Sequence, residues 1–161
     1  MEKYYICPHC RAHLKVGNHI IFSTMNKDKE KGLLLLSPQI GNYTSIKHPS
    51  YNYKDGDKID FFCPLCQKRL LSSFDENLVH VIMIDKDKKE YDIYFSRIAG
   101  ERSTYKVSGD TVMAAGEHSS RYTYFKMSDK FKKYLQWSQD ETCITLIFII
   151  FLAVLFILIK P

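Results

Sequence analysis

Four cysteines in two matching turns, Cys7-Pro8-His9-Cys10 and Cys63-Pro64-Leu65-Cys66, are the residues of this 161-residue chain best suited to chemistry. Two thiolates separated by two residues can reach one metal ion from a single turn, at about 2.3 Å for zinc, while turn amides donate to the sulfurs and spread their charge. Proline after the first cysteine pre-sets the backbone dihedral of the turn. Two such turns supply four sulfurs and close a tetrahedral shell, leaving no position open for water. A closed shell is structural, and its metal contributes directly to folding. The expectation is one structural Zn²⁺ held by Cys7, Cys10, Cys63 and Cys66, with no catalytic residue.

The surroundings of the two motifs match as well. YICPHCRAHL and FFCPLCQKRL share both cysteines, the proline and a leucine four residues after the second cysteine, Leu14 and Leu70, at a constant offset of 56. Each follows a β-favouring pair, Tyr5-Ile6 or Phe61-Phe62, so the unit reads as an internal repeat of strand, knuckle and strand. Other readings of the cysteines compete. Cys7 and Cys10 with two of His9, His13 and His19 would form a site within one knuckle, but would leave Cys63 and Cys66 without a role. A thioredoxin-type redox pair needs a βαβ context that neither motif has. Disulfides suit a secreted chain, and MEKYYICPHC has no apolar run resembling a secretory signal.

On these two knuckles the chain resembles the zinc-ribbon family, and in particular small bacterial zinc-ribbon proteins with a C-terminal membrane anchor. The resemblance covers about 20 residues and implies a single zinc gripped by two β-hairpin knuckles. One departure has structural weight. Many zinc ribbons carry glycine directly after the second cysteine, where this chain has Arg11 and Gln67. The turn there must differ or be held by a non-glycine residue.

The second strong signal is the tail. From Cys143 to Ile159, 16 of 17 residues are apolar, Thr145 being the exception. As a helix this block spans about 26 Å, and with Thr142 and Lys160 it approaches the hydrocarbon thickness of a bilayer. It is apolar all round, unlike a core helix with a polar stripe. A single transmembrane helix over 142–160 is expected, inserted tail-first. Lys126, Lys130, Lys132 and Lys133 precede it and only Lys160 follows, which places residues 1–141 in the cytoplasm. Before it, 128–141 reads as a short amphipathic helix with Ser128 as N-cap, Phe131, Tyr134 and Leu135 on one face, and Trp137 at the headgroup level. Cys143 sits at the boundary as a small apolar residue, with S-acylation as its alternative role.

The elements that must position the cysteines read as mainly β. Segments 18–24 and 33–37 look like strands joined by the charged turn 26–31, a hairpin extending the first knuckle. Residues 38–56 read as a loop packing its tyrosines, and Asp55-Gly56-Asp57 turns the chain into strand 58–62. From 78 onward, an apolar run 78–84, a charged turn 85–89 and an alternating segment 90–95 are followed by Tyr105 and Val107, then Tyr122 and Tyr124, at period two, with turns at Gly100, Gly109 and Gly116. The fold class is a zinc ribbon with an antiparallel sheet region, a juxtamembrane helix and one transmembrane helix. The segments are 1–77, 78–127, 128–141 and 142–160.

Composition narrows the function classes. With 11 Tyr and 10 Phe the chain is not disordered throughout, and 7 Gly and 5 Pro exclude collagen-like or low-complexity architectures. Of its 23 Lys and Arg, one lies beyond residue 141, against 18 Asp and Glu before it. That balance is not a basic domain. The candidate nucleic-acid patch is Arg11, Lys15, Lys68 and Arg69 beside the knuckles; the same charges could rest on anionic lipid. Metalloprotease, phosphate-loop and nucleophile-elbow motifs are missing. Glu117-His118-Ser119 sits in a glycine-flanked loop, and His48 and His80 read as surface and packing residues. The expected function is binding rather than catalysis: a membrane-anchored adaptor that recognises another protein, with a membrane-tethered nucleic-acid-binding or regulatory ribbon as the alternative.

Overall fold

Alternation of burial organises the chain. In His19–Met25 the residues Ile20, Phe22 and Thr24 are buried and those between them are half-covered, as a strand with one face on a core requires. The computed structural model describes residues 3–122 and Phe125. Ten strands follow in order: β1 (Tyr4–Ile6), β2 (Lys15–Val16), β3 (His19–Met25), β4 (Lys31–Leu36), β5 (Ser45–Lys47), β6 (Asp60–Phe62), β7 (Leu78–Ile84), β8 (Glu90–Ser96), β9 (Thr104–Ser108) and β10 (Thr111–Ala115). Ser119–Arg121 forms a 3₁₀ turn, and no α-helix occurs among the described residues.

The strands form two antiparallel sheets. One runs β1-β7-β8-β9-β10; in the other β2-β3-β4-β5 are neighbours and β6 also pairs with β3. One core joins both. Tyr5, Leu14, Phe22, Leu34, Phe61, Leu70, Val81 and Ile93 are buried together in it with Cys7 and Cys63. Phe22, Phe61 and Phe95 form an aromatic triangle with ring centroids 5.4 to 5.7 Å apart. Edge-to-face contacts of this kind add about 0.5–1.5 kcal/mol each beyond the area they bury.

The internal repeat extends through whole hairpins. The β3–β4 hairpin pairs Ile20 with Leu36, and the β7–β8 hairpin pairs Val79 with Phe95, each residue 59 positions further on. The next strand keeps the same relation: Leu34 pairs with Lys47 and Leu36 with Ser45, while Ile93 pairs with Lys106 and Phe95 with Thr104. The hairpin turns agree as well. The Asn26 side chain accepts from the amides of Asp28 and Glu30, and the Asp85 side chain accepts from those of Asp87 and Lys89. In each turn a lysine, Lys29 or Lys88, takes the left-handed backbone. Gly41 and Gly100 occupy matching places after the second strand of each hairpin, with φ of 87° and 80° that glycine adopts without steric cost.

The two halves exchange strands reciprocally. β1 leaves its own half and pairs with β7, Tyr5 facing Met83; β6 pairs with β3, Phe61 facing Thr24. Met83 and Thr24 are themselves equivalent positions, so the exchange follows a pseudo-two-fold relation. Each knuckle is thus hydrogen-bonded into the hairpin of the opposite half.

Several expectations need adjustment. The mainly β reading holds, but the loop expected at 38–56 contains β5, whose three residues are too few to show a period. The sheet expected over 78–127 has four strands of its own and gains β1 as a fifth. Tyr122 does not continue a strand. It follows the 3₁₀ turn and meets Tyr105 edge-on at 6.0 Å, because Gly116 has already turned the chain. The juxtamembrane helix expected at 128–141, the membrane span at 142–160 and Tyr124 lie outside the described residues. Among the described residues no helix is long and apolar enough to cross a membrane.

Candidate metal centre

Each knuckle is a short loop closed by a ladder of backbone hydrogen bonds. In the first, Cys7 N donates to Ala12 O (2.9 Å), Arg11 N to Cys7 O (2.9 Å) and Leu14 N to Tyr5 O (2.7 Å). In the second, Cys63 N donates to Lys68 O (3.0 Å), Gln67 N to Cys63 O (2.9 Å) and Leu70 N to Phe61 O (2.9 Å). The bridges Ile6 to His13 and Phe62 to Arg69 repeat the same register. Leu14 and Leu70, the shared leucines of the motif, are buried beneath the loops and anchor them to the core.

Arg11 and Gln67, which stand where many zinc ribbons carry glycine, hold left-handed backbone with φ of 62° and 58°. The turn therefore keeps its shape and carries the strain of a side chain there, about 1–2 kcal/mol per residue. Both side chains are tied down. Gln67 Nε2 donates to Pro64 O at 2.8 Å, within its own knuckle, and the Arg11 guanidinium makes a two-pronged pair with Glu90 at the start of β8.

The four cysteines converge. All four Sγ atoms lie within 4.8 Å of one another. Cys7 Sγ is 3.9 Å from Cys66 Sγ, and Cys10 Sγ is 3.8 Å from Cys63 Sγ. Sulfurs on a tetrahedron with bonds of about 2.3 Å to a central zinc stand about 3.8 Å apart, so both cross-knuckle contacts have the length of a tetrahedral edge. The pairing is also symmetric, the first cysteine of each knuckle meeting the second of the other. The cluster is consistent with one metal ion, and the all-sulfur donor set suits zinc.

Electrostatics within the cluster is uneven. Burial pushes the Cys7 thiol up to about 12 and the Cys63 thiol in the same direction. At the exposed Cys10, the Ala12 backbone amide brings the thiol down to about 7. His9 N lies 3.4 Å from Cys7 Sγ, an amide placed to spread thiolate charge. Two buried thiols in contact with two outer ones become thiolates together when a cation compensates them.

The other candidate residues go elsewhere. His9 is not in the cluster; its Nε2 donates across the knuckles to Arg69 O at 3.1 Å. The His13 ring lies edge-on to Tyr4 at 5.7 Å, and His19 opens β3. In the basic patch, Arg11 pairs with Glu90, and Arg69 pairs with Asp60. Asp60 also pairs with Arg97 at 2.9 Å. Glu117-His118-Ser119 is a backbone clamp: His118 Nδ1 accepts from Arg102 N, and His118 N donates to Arg102 O, both at 3.0 Å. His48 accepts from the amide of nearby Ser50.

One functional-looking pair escaped sequence reasoning. His80 Nε2 is 2.7 Å from Asp92 Oδ1, and its ring stacks on Tyr94 at 4.7 Å. The signal was the register of the 78–96 hairpin, which sets Asp92 diagonally across from His80. No family model matches this chain, and no curated protein or solved structure matches it.

Proposed function

We propose that this protein is a zinc-stapled binding module that recognises another protein and is tethered to a membrane by residues 142–160, with residues 1–141 in the cytoplasm. The observation that carries the reading is the convergence of four Sγ atoms, two from each half, within 4.8 Å. A closed four-sulfur shell leaves no site for substrate, so the metal acts by holding the halves together.

The outer face of β3–β5 supports a protein partner. Leu33 and Ile46 are more than half exposed there, with Ile21 and Leu35 beside them, and Val16 of the neighbouring β2 is exposed too. In the other half the position equivalent to Ile46 is Tyr105, which is 1% exposed and bonds through its hydroxyl to Ser119 O. One half thus covers this face with its own chain and the other leaves an apolar patch, of the kind that marks interaction surfaces. The two knuckle arginines are spent on internal ion pairs, which favours this reading over nucleic acid.

The test is an affinity pull-down from membranes with the full chain, the Leu33→Lys/Ile46→Lys variant and a chain truncated after Glu141. Zinc content and membrane fractionation are measured alongside. The reading expects one zinc per chain, loss of the captured partner in the lysine variant, and release of the truncated chain into the soluble fraction. Absence of zinc, capture unaffected by the lysines, or an unchanged distribution on truncation each removes the corresponding part.

A further inference from the structure

β5 and β10 are edge strands, each at the end of its sheet. β5 is blunted: it has three residues, carries Lys47 and runs into Pro49, the devices by which native sheets keep an edge from pairing with another chain. β10 has none of them. It is five residues long, Thr-Val-Met-Ala-Ala, with no charge or proline, and its register against β9 is unbroken from Thr111 to Ala115. Thr111, Met113 and Ala114 are exposed.

The ladder decides which backbone groups of β10 are open. Ser96 N donates to Ser103 O at 3.2 Å. Alternation along an antiparallel pair then directs Ser103, Tyr105 and Val107 to β8, and Thr104, Lys106 and Ser108 to β10. Their partners Thr111, Met113 and Ala115 bond back to β9, while the N–H and C=O groups of Val112 and Ala114 point away from it. Among the described residues no backbone meets these four groups.

The four groups are placed evenly about Met113, and that symmetry selects the occupant. A second β10, laid antiparallel about a two-fold axis at Met113, sets Val112 against the partner's Ala114 and Ala114 against the partner's Val112. Four backbone hydrogen bonds form and no outward group is left over. The two Met113 side chains meet as a close pair of flexible apolar groups. Asp110 falls opposite the partner's Gly116, and Glu117 opposite the partner's Gly109, so no acid stands directly against another.

We propose that two copies of this chain associate through β10, joining two five-stranded sheets into one continuous sheet. A junction of five residues falls well short of the roughly 20–30 residues a side of a stable soluble interface, so the association is weak and follows the local concentration of the chain. It uses neither the cysteines nor the outer face of β3–β5.

Amide hydrogen exchange reads the junction without a variant, because Val112 N and Ala114 N are open in one chain and bonded between two. Exchange is followed by NMR on the full chain in phosphatidylcholine nanodiscs holding one chain or two. A chain that stays out of the disc rejects the membrane tether, and the same comparison is then made between dilute and concentrated solution. Two variants accompany it. Ala114→Pro removes an outward N–H that the β9 ladder does not use, and Met113→Lys sets two like charges face to face at the axis. Zinc content reports their folding. With two chains together, exchange at Val112 and Ala114 should slow by about tenfold or more, while Met113, already engaged with β9, should change little. In both variants the slowing at Val112 should disappear. Equal exchange with one chain and two, or slowing that survives in the zinc-loaded variants, overturns the β10 junction.

Discussion

Arg11 and Gln67 occupy the same point of the two knuckles and hold the same left-handed backbone, with φ of 62° and 58°. Each knuckle thus accepts a strained residue directly after its second cysteine and secures it with a side-chain contact, Arg11 to Glu90 and Gln67 to Pro64. Glycine at either position relieves the strain but gives up that contact and adds freedom to the unfolded chain, about 0.5–1 kcal/mol. Gln67→Gly should therefore change stability by no more than about 0.5 kcal/mol. Valine is β-branched, so Gln67→Val should cost about 1–2 kcal/mol. Denaturation midpoints of the zinc-loaded proteins measure both, and a valine variant as stable as wild type would show that the turn relaxes.

The knuckles and hairpin turns were legible in the sequence because their signals are local. Cysteine spacing, the following leucine and the charged turns at 26–31 and 85–89 each act within a few residues. The exchange of β1 and β6 was not legible. Tyr4–Ile6 carries nothing that distinguishes β7 from the nearer β3 as its partner, and the choice is made by core packing across the chain. The repeat of whole hairpins was hidden too. Burial at matching positions is satisfied by different residues, Leu36 or Phe95 and Leu34 or Ile93, and identities survive in the polar turn, Lys27-Asp28-Lys29 with Lys86-Asp87-Lys88, and at scattered positions such as Ser37 with Ser96, Gly41 with Gly100 and Lys47 with Lys106. The cluster was found from spacing alone, whereas its symmetric sulfur pairing needed the exchange.

Because each knuckle is hydrogen-bonded into the opposite hairpin, removing the metal should loosen both knuckles together. The amides of Leu14 and Leu70 close equivalent ladders, to Tyr5 O and Phe61 O. On chelation their hydrogen exchange should accelerate in parallel, by at least tenfold, while amides shared between β8 and β9 keep more of their protection. Replacing Cys63 and Cys66 with serine should accelerate Leu14 as much as Leu70. Acceleration confined to the mutated knuckle would mean that the two do not share one ion.

Metal binding should release protons, and the thiols set how many. At neutral pH the metal-free Cys7, at about 12, and Cys63, raised by the same burial, are protonated, while Cys10, at about 7, is about half ionised. A thiolate shell requires all of them to ionise, so the buried pair gives up two protons and Cys10 about half of one, and apparent affinity rises with pH. Calorimetry in buffers of different ionisation enthalpy counts them, and a count below two contradicts buried thiols at Cys7 and Cys63. The metal-free protein should respond to pH in the opposite sense. A raised folded-state value means that folding favours the protonated thiol, so this contribution is complete below about 9 and is lost as the pH rises towards 12. Zinc removes that alkaline sensitivity, because its ligands are already ionised.

Tyr105 and Ile46 stand at equivalent positions in the two halves, yet Tyr105 is 1% exposed and Ile46 53%. Tyr105 is covered by Tyr122 and bonds to Ser119 O, so Tyr105→Ala removes a buried ring and a hydrogen bond, at a cost of about 3–5 kcal/mol. Ile46→Lys places a charge on an open face and should change stability by no more than about 0.5 kcal/mol. The contrast separates what the face does in each half. If the pair is measured on the isolated full chain and Ile46→Lys is as costly as Tyr105→Ala, the β3–β5 face is part of the folded core and is not available to a partner. If Ile46→Lys is silent in isolation and costly only when membranes or lysate proteins are present, the exposed isoleucine contributes to association rather than to folding.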